Sequence, residues 1–327
     1  MKEYTNSKSA VHNRILEIPA ATHLRTADLG GTVVLDKILG DGGFATVYQG
    51  AYSYKNSKDE KFTDPVAVKI AHTSVQIINK FQDEIAIMQD LYSRGVKVPK
   101  LITWSYPNEH GVVAGIIMEL LNPQTYDDTK FELTDLMPRI AGIGKTLDEI
   151  HKSGYLHLDI KPKNISIHDG HRILDFGLAR DLRAESTRTA PDSMLMGTEP
   201  YMAPEQTFLD VRLTPRADQY QWSRCVKEML EFSSPSYTYR RHSNYDNLSR
   251  SDTKIAARIR NREFTPLQID AQGFYPSFTD DLNTILEKSQ RKYPDDRYHN
   301  IAAMMHDFNQ IVQRISEQNP EVQAKAG

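Results

Sequence analysis

The sequence predicts an α+β chain in two parts, a small sheet-rich first lobe followed by a larger helical one. Three observations carry this. The chain has 327 residues, long for one core and close to two domains by length. Strand-like runs crowd its first third: VVLDKIL from Val33, FATVYQGAY, VAVKI from Val66, Lys100–Tyr106 and Gly111–Leu121. Beyond that, apolar residues recur every three or four positions over Leu133–Lys152, Phe278–Lys288 and Asn300–Ile315.

Composition narrows the function classes. Apolar and charged fractions of 39% and 25% are ordinary for a soluble globular protein. A net charge of −3 gives no field suited to nucleic acid or an acidic membrane, so neither is expected as a partner. Cys225 is the only cysteine, which excludes an internal disulfide and fits a reducing compartment. Its neighbours Gln221, Trp222, Val226 and Met229 suggest a helix and a buried, inert thiol. The start MKEYTNSKSA lacks an apolar signal region, and the longest apolar run, Gly111–Met118, is too short to span a bilayer. The expected location is the cytoplasm.

Taken in order, residues 1–32 are polar and read as an extension packed on the first lobe or in part unstructured. From Val33 the pattern is a hairpin with Gly40, Gly42 and Gly43 in its turn, where missing Cβ atoms permit close backbone approach to phosphates. The polar stretch 52–64 reads as a loop. In the strand Val66–Ile70, alternation puts Val66, Val68 and Ile70 on one face and Ala67 with Lys69 on the other. A helix over Ser74–Leu91 buries Ile78, Phe81, Ile85 and Met88, with Glu84 beside that stripe. A polar linker, NPQTYDDTKFE, precedes the helix Leu133–Lys152, which Gly154 ends. Gly144-Lys145-Thr146 imitates the tail of a P-loop, but Arg139 occupies the first glycine position and the segment is helical, so it is rejected. Residues 231–262 hold seven Lys/Arg against three acids, either a solvated face or a docking face for an acidic partner at 240–262. A polar tail, 316–327, closes the chain.

The chemistry concentrates in Tyr155–Gly177, which places Asp159, Lys161, Asn164 and Asp175 in one short span. Phosphoryl transfer needs such a set: a base for the nucleophile, oxygen ligands for a hard cation and positive charge near the moving group. The runs H-L-D-I-K-P-K-N and D-F-G resemble the catalytic and metal-binding loops of eukaryotic-type protein kinases. Gly40, Gly42 and Val47 resemble the glycine-rich G-x-G-x-x-G-x-V, with Ala45 in place of the third glycine. Val66–Lys69 resembles V-A-I-K, and GTEPYMAPE, ending at Glu205, resembles GT-x-x-Y and A-P-E. Asp218 resembles the helix Asp that anchors the catalytic loop.

The resemblance implies a bilobal protein-kinase-like fold, with an N-lobe over 33–119 and a C-lobe over 120–315. It implies a protein serine/threonine kinase, since Lys161 and GT-x-x-Y match that branch, using ATP and Mg²⁺ (or Mn²⁺) on protein substrates, itself included. By resemblance, Gly40, Gly42, Gly43 and Val47 cover the phosphates, Ala67 roofs the adenine, and Lys69, held by Glu84, reaches the α/β-phosphates. Met118 is the gatekeeper, and Glu119 to Leu121 the hinge. Asp159 is the base, Lys161 and Thr198 support it, and Asn164 and Asp175 bind metal. Glu205 pairs with a distant Arg, with Arg297 the best candidate. Three departures matter. Leu158 replaces the Arg of H-R-D, so activity should not depend strictly on phosphorylation at Ser186, Thr187, Thr189 or Ser193. Lys163 replaces an acid and disfavours Arg-directed substrates. Ser166 stands where an apolar residue usually underlies adenine. The alternatives are a nucleotide-binding pseudokinase scaffold and a small-molecule phosphotransferase of aminoglycoside-kinase type.

Overall fold

Period-two alternation in the first part builds one antiparallel sheet of six strands in the order β1-β2-β3-β4-β6-β5. The strands are β1 His23–Arg25, β2 Thr32–Asp41, β3 Ala45–Lys55, β4 Lys61–Ala71, β5 Leu101–Ser105 and β6 Gly115–Glu119. One helix, α1 Val75–Ser93, joins them. The computed structural model describes residues 23–25, 31–42, 45–72, 75–105, 115–121, 131–184, 197–233, 252–267 and 276–318. It divides into two compact units, 1–123 and 124–327. Gly43, the four hydroxyl residues 186, 187, 189 and 193, and Arg240, Arg241 and Arg250 lie outside the described residues.

The sheet sorts its side chains by face. Tyr48, Val66, Val68, Ile70 and Ile117 join Val33, Leu35 and Tyr52 in one buried cluster. On the opposite face, Phe81 and Ile85 of α1 pack with Ala45, Ala71 and Ile116, with Met118 against them. Lys69 and Ala67 alternate onto this second face, and the register pairs Val47 with Lys69 and Ala67 with Met118.

The stretch 52–64 is not a loop. β3 runs to Lys55 and β4 begins at Lys61, leaving only a five-residue turn in which the Asn56 side-chain oxygen accepts the N–H groups of Lys58 and Glu60. Cross-strand contacts hold the extended hairpin: the Ser53 and Thr63 hydroxyls meet at 2.9 Å, and Tyr54 stacks between Tyr52 and Phe62. Apart from Asp64, which accepts the Tyr54 hydroxyl at 3.0 Å on the aromatic face, the polar composition belongs to the turn and to one face of each strand. β1, within the stretch read as an extension, adds an edge strand to β2.

The second unit is mainly helical: α2 Leu133–Lys152, α3 Pro215–Ser233, α4 Asp252–Arg260, α5 Pro276–Ser289 and α6 Ile301–Gln318. Two short ladders, β7 Tyr155–Leu156 with β10 Arg180–Asp181 and β8 Ile165–Ser166 with β9 Arg172–Ile173, frame the segment between them. α2 supplies the core through Leu136, Met137, Ile140, Ile143, Leu147 and Ile150, none of which is solvent-accessible. Gly154, at φ +92°, turns the chain out of α2 in a conformation that disfavours side chains. Gly144 lies inside α2, where a Cβ would collide with Met305 of α6; this glycine serves helix packing, not phosphate binding. α4 falls in the basic stretch and was not anticipated, and α6 extends to Gln318, past the expected start of the tail.

Candidate phosphoryl-transfer site

In the first unit, β4 and α1 bring Lys69 and Glu84 together. The Lys69 ammonium donates to Glu84 Oε1 and Oε2 at 2.7 and 2.8 Å, with both side chains buried. Glu84 sits beside the Phe81–Ile85–Met88 stripe, so helical periodicity alone aims its carboxylate at the sheet. The Lys69 ammonium also lies 5.6 Å from the centre of the Phe81 ring. At the hairpin turn, the Gly42 N–H donates to the Ala45 carbonyl at 3.0 Å, and Gly40 has open space where a Cβ would stand. The base of this turn is tied by Thr46, whose hydroxyl meets Asp41 Oδ1 at 2.6 Å and His72 Nε2 at 3.1 Å. Thr46 and His72 escaped sequence reasoning. Met118, Glu119 and Leu121 are all half-buried, and the Glu119 N–H donates to the Lys100 carbonyl.

In the second unit, Asp159 is the centre of a closed polar ring. Lys161 donates to its Oδ2 at 2.7 Å and to the Thr198 hydroxyl at 3.0 Å, and Thr198 donates to Asp159 Oδ1 at 2.9 Å. Asn164 Nδ2 donates to the Asp159 carbonyl at 2.9 Å and to Oδ2 at 3.3 Å. Oδ2 thus accepts from two donors, while Oδ1 accepts from Thr198 alone and keeps a lone pair for another donor. Because the Asp159 N–H points at His157 Nδ1 (3.2 Å), that nitrogen is the acceptor, and the His157 proton resides on Nε2, which donates to the Leu174 carbonyl at 2.8 Å. Thr198 follows Gly197, whose φ of +128° swings the loop and whose missing Cβ leaves room for Met202.

Asp175 is exposed and held at φ +62°, a left-handed conformation costing roughly 1–3 kcal/mol for a non-glycine residue. Its Oδ1 accepts the Gly177 N–H at 3.4 Å. Asn164 spends its amide N–H₂ on Asp159, which leaves its amide oxygen as the atom to offer a cation. A carboxylate and an amide oxygen are the hard donors that Mg²⁺ takes, so the pair fits the metal of a nucleotide complex.

The loop that carries Asp159 is fixed by residues far away in sequence. Asp218 on α3 is wholly buried and accepts the N–H of His157 at 2.8 Å, the N–H of Leu158 at 2.7 Å and His151 Nε2 at 2.8 Å. Burial opposes its charge, but the His151 bond and the nearby imidazoles and N–H groups outweigh it and hold the carboxyl below the usual range. Gln221, one turn along, accepts the Ile160 N–H at 2.8 Å and donates to the Leu158 carbonyl, which Gln206 also bonds. Glu205 forms a bidentate buried pair with Arg297 at 2.7 and 2.9 Å. Gln206, Gln221 and His151 were missed because nothing local marks them; their partners lie elsewhere in the chain.

The departures acquire physical settings. Leu158, at φ +65°, is buried with Leu156, Ala203, Leu213, Ala217 and Tyr220, and Leu178 and Leu182 pack against that cluster. Lys163 is exposed. Ser166 is buried and its hydroxyl bonds Asp169 in the adjoining turn at 3.2 Å. Cys225 is buried, and burial pushes its thiol pKa well up.

A carboxylate ringed by an ammonium, a hydroxyl and an amide, with a second carboxylate sixteen positions on, is a set of groups of the kind that phosphoryl transfer uses. The comparison with known families is direct: residues 33–309 match the model described as the protein kinase domain, and the chain belongs to that family. Among curated relatives, it is 27% identical over 223 residues to the serine/threonine-protein kinase PknL of Mycobacterium tuberculosis, covering 65% of this chain and 52% of that protein. It is 24% identical to PknB of Mycolicibacterium smegmatis, over 88% of this chain and 44% of the relative. A probable serine/threonine-protein kinase of Streptomyces coelicolor, SCO3848, is 24% identical over 86% and 40%. The chain thus spans about half the length of these relatives.

Proposed function

We propose that this chain is a protein serine/threonine kinase that moves the γ-phosphoryl of Mg-ATP to Ser or Thr hydroxyls of protein substrates, its own included. The observation that carries this is the ring Asp159–Lys161–Thr198, anchored on Asp218. Asp159 orients the acceptor hydroxyl and takes its proton, Lys161 offsets charge developing on the transferred group, and Thr198 fixes the distance between the two. Lys69, kept in place by Glu84, is the cation for the α/β-phosphates, and the turn carrying Gly40 and Gly42, with Val47 and Ala67 on the strands beside it, is the nucleotide side. Met118, Glu119 and Leu121 are the adenine side. Asn164 and Asp175 are the metal ligands. Bound Mg-ATP supplies the phosphoryl group and a metal charge that neutralises it.

Support for a protein acceptor comes from the relatives' names and from the segment Gly197–Glu205, which a small-molecule phosphotransferase does not need. A pseudokinase has no use for a base, two metal ligands and a buried Lys–Glu pair together. Exposed Lys163 repels Arg-rich peptides, and a peptide array dominated by Arg upstream of the acceptor would contradict that. An acidic partner at 240–262 has less to attract it than the raw charge count suggests, because Arg258, Arg260 and Arg262 are already bonded within the chain. No described helix is long and apolar enough to cross a membrane, and a cytoplasmic site of action is our reading. Purified protein with labelled Mg-ATP and a generic protein acceptor, beside Asp159→Asn, tests the proposal. Label must appear on protein and depend on Asp159.

A further inference from the structure

The loop that follows Thr198 is gripped by arginines from two helices, and none of them has a part in the transfer chemistry above. Arg224 of α3 donates from Nε to the Pro200 carbonyl at 2.5 Å. Arg262, just beyond α4, donates to the Glu199 carbonyl at 2.8 Å and to the Met202 carbonyl at 3.3 Å. Arg258 reaches the Glu199 carboxylate at 3.0 Å. Arg260 bonds the Thr207 hydroxyl at 2.8 Å and lies 4.1 Å from the centre of the Phe208 ring. α4 is seated here by Ile255 and Ile259, one turn apart, which pack on Met202.

The arrangement is costly electrostatically. Burial, and then the charge of Arg262, lower the pKa of the Arg224 guanidinium. Two neighbouring guanidiniums spent on the carbonyls of Glu199, Pro200 and Met202 fix the backbone between Thr198 and Ala203. Water could satisfy those carbonyls but would leave the loop free to shift.

We propose that Arg224, Arg258 and Arg262 form a clamp that sets the acceptor-side loop 198–203. They are positioning residues for the protein substrate, acting through the Glu199–Met202 backbone, and take no part in handling ATP. This rests on the kinase reading, and deepens it by naming what shapes the acceptor loop.

The test compares Arg262→Ala, Arg262→Lys and Arg258→Ala with wild type in transfer to a generic protein acceptor, in acceptor-free ATP hydrolysis and in amide hydrogen exchange. Arg262→Ala should lower kcat/KM for the acceptor by about tenfold or more, the equivalent of one charge-assisted hydrogen bond, with ATP hydrolysis and the KM for ATP within about twofold. Arg262→Lys should recover part of this, because an ammonium keeps the charge but lacks the planar fork that spans two carbonyls. Arg258→Ala, half-exposed and so screened, should cost only about two- to fivefold. Amides of Glu199, Tyr201, Met202 and Ala203 should exchange at least about tenfold faster in Arg262→Ala, with those of α6 unchanged. Unchanged exchange in the loop, or equal losses in ATP hydrolysis and acceptor transfer, would overturn the clamp. A wild-type chain that labels no protein overturns the kinase reading instead, and the exchange measurement still decides the clamp.

Discussion

Lys69 and Glu84 in the first unit meet as a buried ion pair between one strand and one helix, whereas Asp159 in the second is held by Lys161, Thr198, Asn164 and, through the backbone, by His157, Asp218 and Gln221. The Lys–Glu pair spans one strand and one helix, so a shift of α1 alone can break it. Asp159 keeps Lys161 and Asn164 as partners even where the segment carrying Thr198 moves. A position that must present a proton acceptor at fixed geometry gains from redundancy. A pair that positions one ammonium can be a hinge point, sensitive to how one helix sits.

The largest expected effect comes from breaking the redundant side at its one irreplaceable atom set. Asp159→Asn keeps the shape and most hydrogen bonds but removes the proton acceptor. Transfer should fall by roughly 10²–10⁴-fold, while chemical denaturation registers only about 1 kcal/mol, since the other anchors remain. A stability loss matching the activity loss would mean the ring is structural. On the first unit the balance is reversed. Glu84→Ala removes the carboxylate from a buried ammonium and should cost about 3–5 kcal/mol of stability. The double change Lys69→Met/Glu84→Leu should recover most of that stability while leaving transfer abolished. Additive stability losses would mean that Lys69 and Glu84 are not energetically coupled.

This contrast was only partly legible in the sequence. Asp159, Lys161, Asn164 and Asp175 lie within one short span, and Lys69 and Glu84 follow strand and helix periods, so local pattern exposes them. Their supports are different in kind. Gln206 and Gln221 bond Leu158 across 48 and 63 positions, and His151 meets Asp218 across 67. No local period marks such residues. The hairpin over 53–63 was hidden for a related reason: its Tyr54 and Phe62 are neighbours across the ladder, while the chain between them reads as polar. α4 was hidden because its apolar stripe is only Ile255 and Ile259, flanked by charges whose partners lie on another loop.

Asp218 tests how far the redundancy extends. Its pKa is depressed in the folded state, so the stability it contributes is present above the unfolded carboxylate value and is lost as pH falls through the folded value. Wild type should therefore lose stability below about pH 4. Asp218→Asn should cost about 2–4 kcal/mol at neutral pH, because one amide group cannot accept all of the N–H bonds that the carboxylate accepts. It should also flatten the acid limb of the stability profile. An unchanged acid limb in the variant would assign that limb to other carboxylates.

The smallest expected effect concerns the segment after Asp175. Leu178 and Leu182 pack against the cluster containing Leu158, the Leu182 N–H donates to the Gly154 carbonyl at 2.8 Å, and Arg212 bonds the Leu182 carbonyl at 3.0 Å. Apolar burial and backbone bonds thus fix this segment through residue 182, and Leu158 offers no cation for a phosphate. Replacing Ser186, Thr187, Thr189 and Ser193 together by Ala should change transfer to a protein acceptor by no more than about threefold, well under 1 kcal/mol. Leu158→Ala removes the buried contact itself and should cost about 2–5 kcal/mol of stability, with a larger loss of transfer than the fourfold Ala variant. Near-complete inactivity of the fourfold variant, with Leu158→Ala close to wild type, would reverse the assignment and make loop phosphorylation the dominant hold on this segment.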